Sequence, residues 1–115
     1  MARPLRLRDD LADRILDLPG VEMRPSRFGS ETLAFAVGTR EIAHFHGARE
    51  IDLRLTRAVI QRLRGDLEAD ARVLPGGDAL GASDWVAFRF TRRADLGRAA
   101  ELARLALGAN TRAER

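Results

Sequence analysis

The chain contains no cysteine and no lysine, and each absence narrows what the protein can do. Without cysteine there is no disulfide framework and no thiolate nucleophile, so a metal site must use histidine, carboxylate, backbone or water ligands. All 20 basic side chains are arginine, which raises the sequence pI to about 11.0 although the net charge is only +3. The arginines are scattered among acidic residues. We interpret the arginine content as the result of a GC-rich coding sequence, and the arginines themselves as solvated surface residues. Nucleic-acid binding is therefore not favoured.

Long apolar runs are also missing, and we expect no secretion signal. The first eight residues are basic but include no apolar segment, and no stretch approaches membrane-spanning length. We therefore expect no membrane association and a cytoplasmic location. The 115 residues are 45% hydrophobic and 32% charged, which suits one folded domain, residues 1–115, around one core.

Hydrophobic periodicity predicts three helices and four to five strands. The helices are Leu5–Leu18, Arg57–Ala69 and a last one that starts at Thr91 or Asp95 and ends near Leu107, followed by a frayed tail at residues 109–115. The strands are Glu31–Val37, Arg40–His46, Glu50–Leu55 and Asp84–Phe90, with short candidates at Val21–Arg24 and Arg72–Leu74. This order, α-β-β-β-α-(β)-β-α, predicts an α+β fold in which an antiparallel sheet carries its helices mainly on one face.

Strand alternation divides the sheet residues between two faces. The core face is expected to carry Leu33, Phe35, Val37, Phe45, Ile51, Leu53, Leu55, Val86, Phe88 and Phe90. The opposite face is expected to carry Ala34, Ala36, Ile42, His44, His46, Asp52, Arg54, Trp85 and Arg89. That mixture is too polar for a core and too apolar for plain solvent. It predicts either a shallow ligand site or a contact surface such as a homodimer interface.

The two histidines of the chain, His44 and His46, stand at i and i+2 of one predicted strand. Side chains at this spacing project side by side and can share a divalent metal ion, with Asp52 or Glu50 as a carboxylate ligand. The spacing also matches the first half of the cupin metal motif, but Arg57 replaces its closing glycine and there is no third histidine. Paired structural histidines are the alternative to a metal site.

General acid–base catalysis is another interpretation of the same residues. His44 or His46 would transfer protons while Asp52 orients the imidazole. The candidate catalytic residues are therefore His44, His46 and Asp52, and the candidate ligand-binding residues are Arg54, Trp85, Arg89 and Arg27. A stacking platform for nucleic acid is a weaker interpretation, because the predicted core face takes the phenylalanines and leaves Trp85 alone.

Several segments together resemble the small bacterial luciferase-domain family. They are L-P-G-V at Leu18–Val21, R-F-G at Arg27–Gly29, R-E-I-A-H-F-H-G at Arg40–Gly47, D-L-R-L at Asp52–Leu55 and S-D-W-V-A-F-R-F at Ser83–Phe90. The resemblance covers nearly the whole chain. It places His44 and His46 at the motif histidines, Asp52 at the following acid and Trp85 at the late aromatic. The element order is also similar to the small YjbR/MmcQ-like α+β proteins, some of which are suggested to bind DNA.

The luciferase-domain family takes its name from a similarity to fungal luciferases, which oxygenate a polyphenol-like luciferin without a bound metal or flavin. Together, the residues and the resemblance predict binding of a small organic ligand on the His/Asp/Arg/Trp face, with oxygenase-like chemistry as a further expectation. No cofactor is expected apart from the divalent metal considered at His44 and His46. The alternative is a non-enzymatic interaction module that uses the same face to dimerise or to bind nucleic acid.

Overall fold

The computed structural model describes residues 4–26 and 29–113. Six strands form one antiparallel sheet in the order β1-β2-β3-β4-β6-β5. The strands are β1 (Val21–Ser26), β2 (Gly29–Val37), β3 (Arg40–Phe45), β4 (Glu50–Arg54), β5 (Val73–Pro75) and β6 (Trp85–Arg89). The helices are α1 (Pro4–Leu16), α2 (Arg57–Arg62), α3 (Arg64–Glu68) and α4 (Leu96–Ala113), with a 3-10 turn at Arg93–Asp95 before α4. None of the helices in these ranges is long and apolar enough to cross a membrane.

The predicted α+β class is confirmed, although the described sheet has six strands rather than four to five. Both short candidate strands are present and form its edges, with Pro25 in one and Pro75 at the end of the other. Proline lacks a backbone N–H, so an edge strand is the place in a sheet that tolerates it. The segment predicted as one helix, Arg57–Ala69, is two short helices that meet at Leu63. Gly65 costs about 1 kcal/mol inside a helix and favours this interruption.

The core lies between the sheet and the helices, as the alternation of the strands predicts. Fully buried sheet residues include Phe35, Ile51, Leu53, Val86 and Phe88, and they form one cluster with Leu11, Ile15, Ile60 and Leu96 of the helices. Leu33 was wrongly predicted as a core residue, since it is 51% exposed. It pairs with Pro25 near one end of the β1–β2 hairpin, and its exposure shows that the described helices do not cover that end.

A β-bulge in β3 explains why Ile42 was assigned to the wrong face. The strand pairing joins Phe35 to Ala43 and Ala36 to Glu41, so Ile42 is an extra residue on its strand. Both Ile42 and Ala43 are fully buried in the core. Two consecutive residues on one face reverse the alternation beyond them, which turns Glu41 toward the face that carries His44.

Helix α4 continues through most of the residues predicted as a frayed tail. It passes the expected stop at Leu107 and Gly108 and reaches Ala113. Asn110 is fully buried, and its side-chain amide donates to the carbonyl oxygens of Arg54, at 2.8 Å, and Ala106, at 2.7 Å. Its amide oxygen accepts from the Arg54 guanidinium. These hydrogen bonds fix the end of α4 to β4.

We expect Asn110→Ala to lower the free energy of unfolding by about 1–3 kcal/mol, because it leaves buried polar groups of Arg54 without their partner. Urea unfolding followed by circular dichroism measures the change. Thr111→Ala is the matched control: its exposed hydroxyl donates within its own helix, to Leu107 at 2.7 Å, and its effect should stay within about 0.5 kcal/mol. Equal effects of the two substitutions would show that the Asn110 contacts do not hold α4 in place.

Candidate functional site

The open face of the sheet, opposite the helices, carries a cavity of about 370 Å³. Strand register brings its residues together, since β3 pairs His44 with Asp52 and β6 pairs Ala87 with Asp52. Among the described residues, the cavity is lined by His44, His46, Glu50, Asp52, Pro75, Gly76, Trp85 and Ala87. The structure thus unites all three predicted catalytic residues with Trp85 in one depression.

His44 is held between two carboxylates at the centre of this face. Its Nδ1 lies 2.8 Å from Oε2 of Glu41, and its Nε2 lies 3.0 Å from Oδ2 of Asp52. Burial alone would lower the pKa of His44, but hydrogen bonds and charge from Asp52 and Glu41 outweigh it and raise that pKa above its ordinary value. Both ring nitrogens can donate at once only in the imidazolium form. The raised pKa favours that form, in which His44 donates to Glu41 with one nitrogen and to Asp52 with the other.

Trp85 lines the cavity beside His44. Its indole lies against the His44 ring, with centroids 5.1 Å apart and planes tilted by 49°. The backbone of Trp85 is also in contact with Gly76, whose N–H donates to the Trp85 carbonyl oxygen at 3.1 Å. A Cβ atom on Gly76 would lie 2.5 Å from that oxygen, so only glycine allows this approach. The loop that follows β5 thus begins with a close contact, between Gly76 and Trp85, that closes one side of the cavity.

Asp84 fixes the chain immediately before Trp85. Its carbonyl oxygen accepts from the backbone of Thr56 at 2.9 Å, and its carboxylate accepts from the backbone of Arg57 at 3.0 Å. Thr56 has φ 77 and ψ 151, a backbone conformation that side-chain-bearing residues rarely adopt and that costs about 1–3 kcal/mol. The two hydrogen bonds hold this strained turn in place and position the start of β6.

His46 and Glu50 lie at the mouth of the cavity, where the β3–β4 hairpin closes. The backbone N–H of His46 donates to the Glu50 carbonyl at 2.8 Å, and Gly47 makes the turn possible with φ 78. The His46 side chain is 73% exposed, and its Nδ1 lies 3.6 Å from Oδ2 of Asp52 and 3.9 Å from Oε2 of Glu50. An imidazole and two carboxylates therefore converge beside the partly buried His44.

Of the predicted ligand-binding arginines, the two in the described part of the chain, Arg54 and Arg89, do not line this cavity. Arg54 donates to Asn110 and to Asp84, the latter at 3.1 Å, and so connects β4 to α4 and to β6. Arg89 is 61% exposed and reaches Glu50 only at 3.9 Å. Arg27 lies outside the described residues. The polar side of the cavity, as far as it is described, consists of the carboxylates of Glu50 and Asp52 and the imidazoles of His44 and His46.

Glu41 is the functional residue that sequence reasoning missed. Regular alternation puts it on the core face with Phe45, and only the bulge at Ile42 turns it toward His44. The Ser26 hydroxyl donates to the same Glu41 oxygen at 3.2 Å. In the sequence, the only signal of the bulge is that two apolar residues, Ile42 and Ala43, stand next to each other. Alanine is common on both the buried and the exposed face of a sheet, so this pair does not reveal the bulge.

The fold and the cavity define a small α+β domain with an acidic, tryptophan-walled pocket on its open sheet face. The family model of the luciferase domain matches residues 39–106, more than half of the chain, and this range includes Glu41, His44, His46, Asp52 and Trp85. The chain belongs to the luciferase-domain family.

A solved structure shares the fold. The crystal structure of Deinococcus radiodurans protein DR2400, which carries the family-model domain DUF419, superposes with a TM-score of 0.61 at 22% identity. The alignment covers 93% of this chain and 80% of that chain. At this identity the likeness shows a common architecture and nothing about function. No curated protein is a significant match to the chain.

We expect Glu41→Gln to lower the pKa of His44, because one of its two carboxylate partners loses its charge. An NMR titration of the imidazole protons, in protein stripped of metals, measures the pKa directly. Because the folded-state pKa is raised, the stability contributed by His44 is fully present below its unfolded value of about 6.5 and is lost as pH rises through the folded value. As the pH rises through the folded-state pKa of His44, the wild type should therefore lose more stability than Glu41→Gln does. An unchanged pKa would mean that Glu41 does not govern the charge of His44.

Proposed function

We propose that the cavity on the open sheet face binds a small organic molecule that combines an aromatic or other apolar part with hydroxyl or amino groups. The observation that supports this proposal is the division of the cavity into two walls. Pro75, Trp85 and Ala87 form an apolar wall, and Glu50 and Asp52 form a wall of hydrogen-bond acceptors. A carboxylate accepts from hydroxyl and ammonium groups but repels anions, so the site favours neutral or cationic ligands.

The size of the cavity agrees with such a ligand. Small-molecule sites usually enclose about 300–1,000 Å³ and combine apolar walls with a few placed polar groups. At about 370 Å³, this cavity suits a molecule with one or two rings. The Trp85 face offers the stacking surface for those rings.

The roles of the three predicted catalytic residues differ in this proposal. Asp52 and His46 are placed to accept a proton from a bound hydroxyl group. His44 has a carboxylate on each ring nitrogen, which makes it a positioning residue that orients Asp52. Oxygenase-like chemistry stays a prediction from the family resemblance, and its acid–base steps would fall to Asp52 and His46.

The alternative of a nucleic-acid interface gains no support from this face. Phosphate recognition depends on clustered cationic side chains, whereas the described lining is acidic and both Arg54 and Arg89 lie outside it. Homodimerisation through the same face stays a prediction.

The chain contains a single tryptophan, Trp85, so its fluorescence reports on the cavity without a label. We expect catechol, an aromatic ring with two hydroxyl donors, to quench this fluorescence saturably in metal-stripped protein. Benzoate, of similar size but anionic, should not. Ala87→Leu enlarges a side chain of the apolar wall, fills part of the cavity and should weaken catechol binding at least tenfold. Ala58→Leu, on the exposed surface of α2, should leave catechol binding unchanged.

Two results would contradict the proposal. One is equal quenching by catechol and benzoate, which would show that the acidic wall does not select the ligand. The other is identical quenching of wild type and Ala87→Leu, provided that the variant has the wild-type circular dichroism spectrum. In that case the small molecule contacts Trp85 without entering the cavity.

A further inference from the structure

We propose that His46, Glu50 and Asp52 bind a divalent transition-metal ion, with Zn²⁺ as the reference ion, at the mouth of the cavity. This site goes beyond the organic ligand proposed above and does not require it. It also differs from the pair of histidines that the sequence suggested, because it uses one histidine and two carboxylates.

The three side chains offer a nitrogen and two oxygens that all lie within 4.8 Å of one another. Ligand atoms held about 2.1 Å from one ion at tetrahedral angles lie about 3.4 Å apart. The His46 nitrogen is already 3.6 Å from Asp52 and 3.9 Å from Glu50, and the widest separation, up to 4.8 Å, needs to shorten by about 1.4 Å. His46 is 73% exposed, and the side chain of Glu50 ends at the cavity mouth, so rotation of these two side chains supplies the movement.

All three ligands come from one short hairpin, residues 46–52. The hydrogen bond from His46 N–H to the Glu50 carbonyl, at 2.8 Å, closes the hairpin and brings those two residues together. Asp52 follows Glu50 on the same face of β4, two residues farther along the strand. Glu50 and Asp52 thus lie on β4, and His46 directly follows β3 and is hydrogen-bonded to Glu50, which limits the entropy lost on binding.

His44 is unsuited to be a ligand itself but well placed to support one. Each of its ring nitrogens already contacts a carboxylate, Glu41 at 2.8 Å and Asp52 at 3.0 Å, so coordination would require one contact to break. Metal-binding carboxylates are commonly held by hydrogen bonds from neighbouring groups. The chain from Ser26 through Glu41 and His44 to Asp52 provides such support from the sheet.

The charge of the region also favours a cation. Glu41, Glu50 and Asp52 bring three carboxylates to one side of the sheet, and His44 lies between two of them. The Arg89 guanidinium is 3.9 Å from Glu50 and 61% exposed, so it compensates little of the remaining charge.

The donor set indicates the class of ion. One imidazole with two carboxylates suits Zn²⁺, Fe²⁺ or Mn²⁺, whereas Mg²⁺ and Ca²⁺ prefer oxygen ligands alone. Three protein ligands leave at least one position of the ion open. That position faces a solvent-accessible cavity, where a water molecule or a hydroxyl oxygen of an organic ligand can complete the coordination.

The test is calorimetric titration of Zn²⁺ into untagged, chelator-stripped protein in the absence of any organic ligand. We expect one ion per chain, and NMR signals of the His46 ring should shift in proportion to occupancy. His46→Ala and Glu50→Gln each remove one ligand and should weaken binding at least tenfold. Glu68→Gln is the matched control, because it removes a carboxylate from the exposed surface of α3 and should bind as the wild type does.

Three outcomes would overturn the metal site. They are undiminished Zn²⁺ binding by His46→Ala, displacement of Zn²⁺ by an equal concentration of Mg²⁺, and no binding by the wild type. Circular dichroism verifies that each variant is folded. We expect His46→Ala to fold like the wild type, because the His46 side chain is largely exposed. Saturable catechol quenching without Zn²⁺ binding would reject the metal site but not the organic-ligand site. Zn²⁺ binding without catechol quenching would reject only the organic-ligand site.

Discussion

The open face of this sheet depends on one hydrogen-bonded chain, in which His44 joins Glu41 to Asp52 across β3 and β4. The chain exists because the extra residue at Ile42 turns Glu41 away from the core. Without the bulge, Glu41 would point among the helices, and His44 would have one carboxylate partner instead of two. A single added residue in β3 thus sets both the composition of the core and the charge of the cavity.

Alternation predicted most of the architecture because β4 and β6 are regular strands. Ile51, Leu53, Val86 and Phe88 lie in the core as expected, and Asp52 and Trp85 lie on the opposite face. Ile42 and Leu33 were assigned wrongly for two different reasons. A bulge changes the period of a strand without a distinctive residue type, and the coverage of a strand end depends on where helices pack, which a local pattern does not contain.

The arginines show a second limit of sequence reasoning. Arg54 and Arg89 alternate correctly onto the open face, yet neither lines the cavity. One partner of Arg54 is Asn110, 56 residues away in the chain, in a segment that the sequence predicted to be frayed. A long cationic side chain can reach several acceptors from one position, so its direction is decided by tertiary contacts rather than by strand parity. Trp85 was more predictable, because it lies in the regular strand β6 and alternation alone assigned it to the open face.

The Glu41–His44–Asp52 chain is an inefficient way to stabilise a sheet. Largely buried ion pairs lose much of their attraction to desolvation, and well-packed apolar side chains are often equally stable or more so. A chain that contains only two histidines nevertheless places one of them between two carboxylates and the other at the cavity mouth. The arrangement contributes orientation: it holds the Asp52 carboxylate at a fixed point between the Trp85 wall and the exposed His46. A fixed acceptor beside an aromatic surface and an accessible imidazole is what both a hydroxyl-bearing ligand and a metal ion require, which is why the same residues support both proposals.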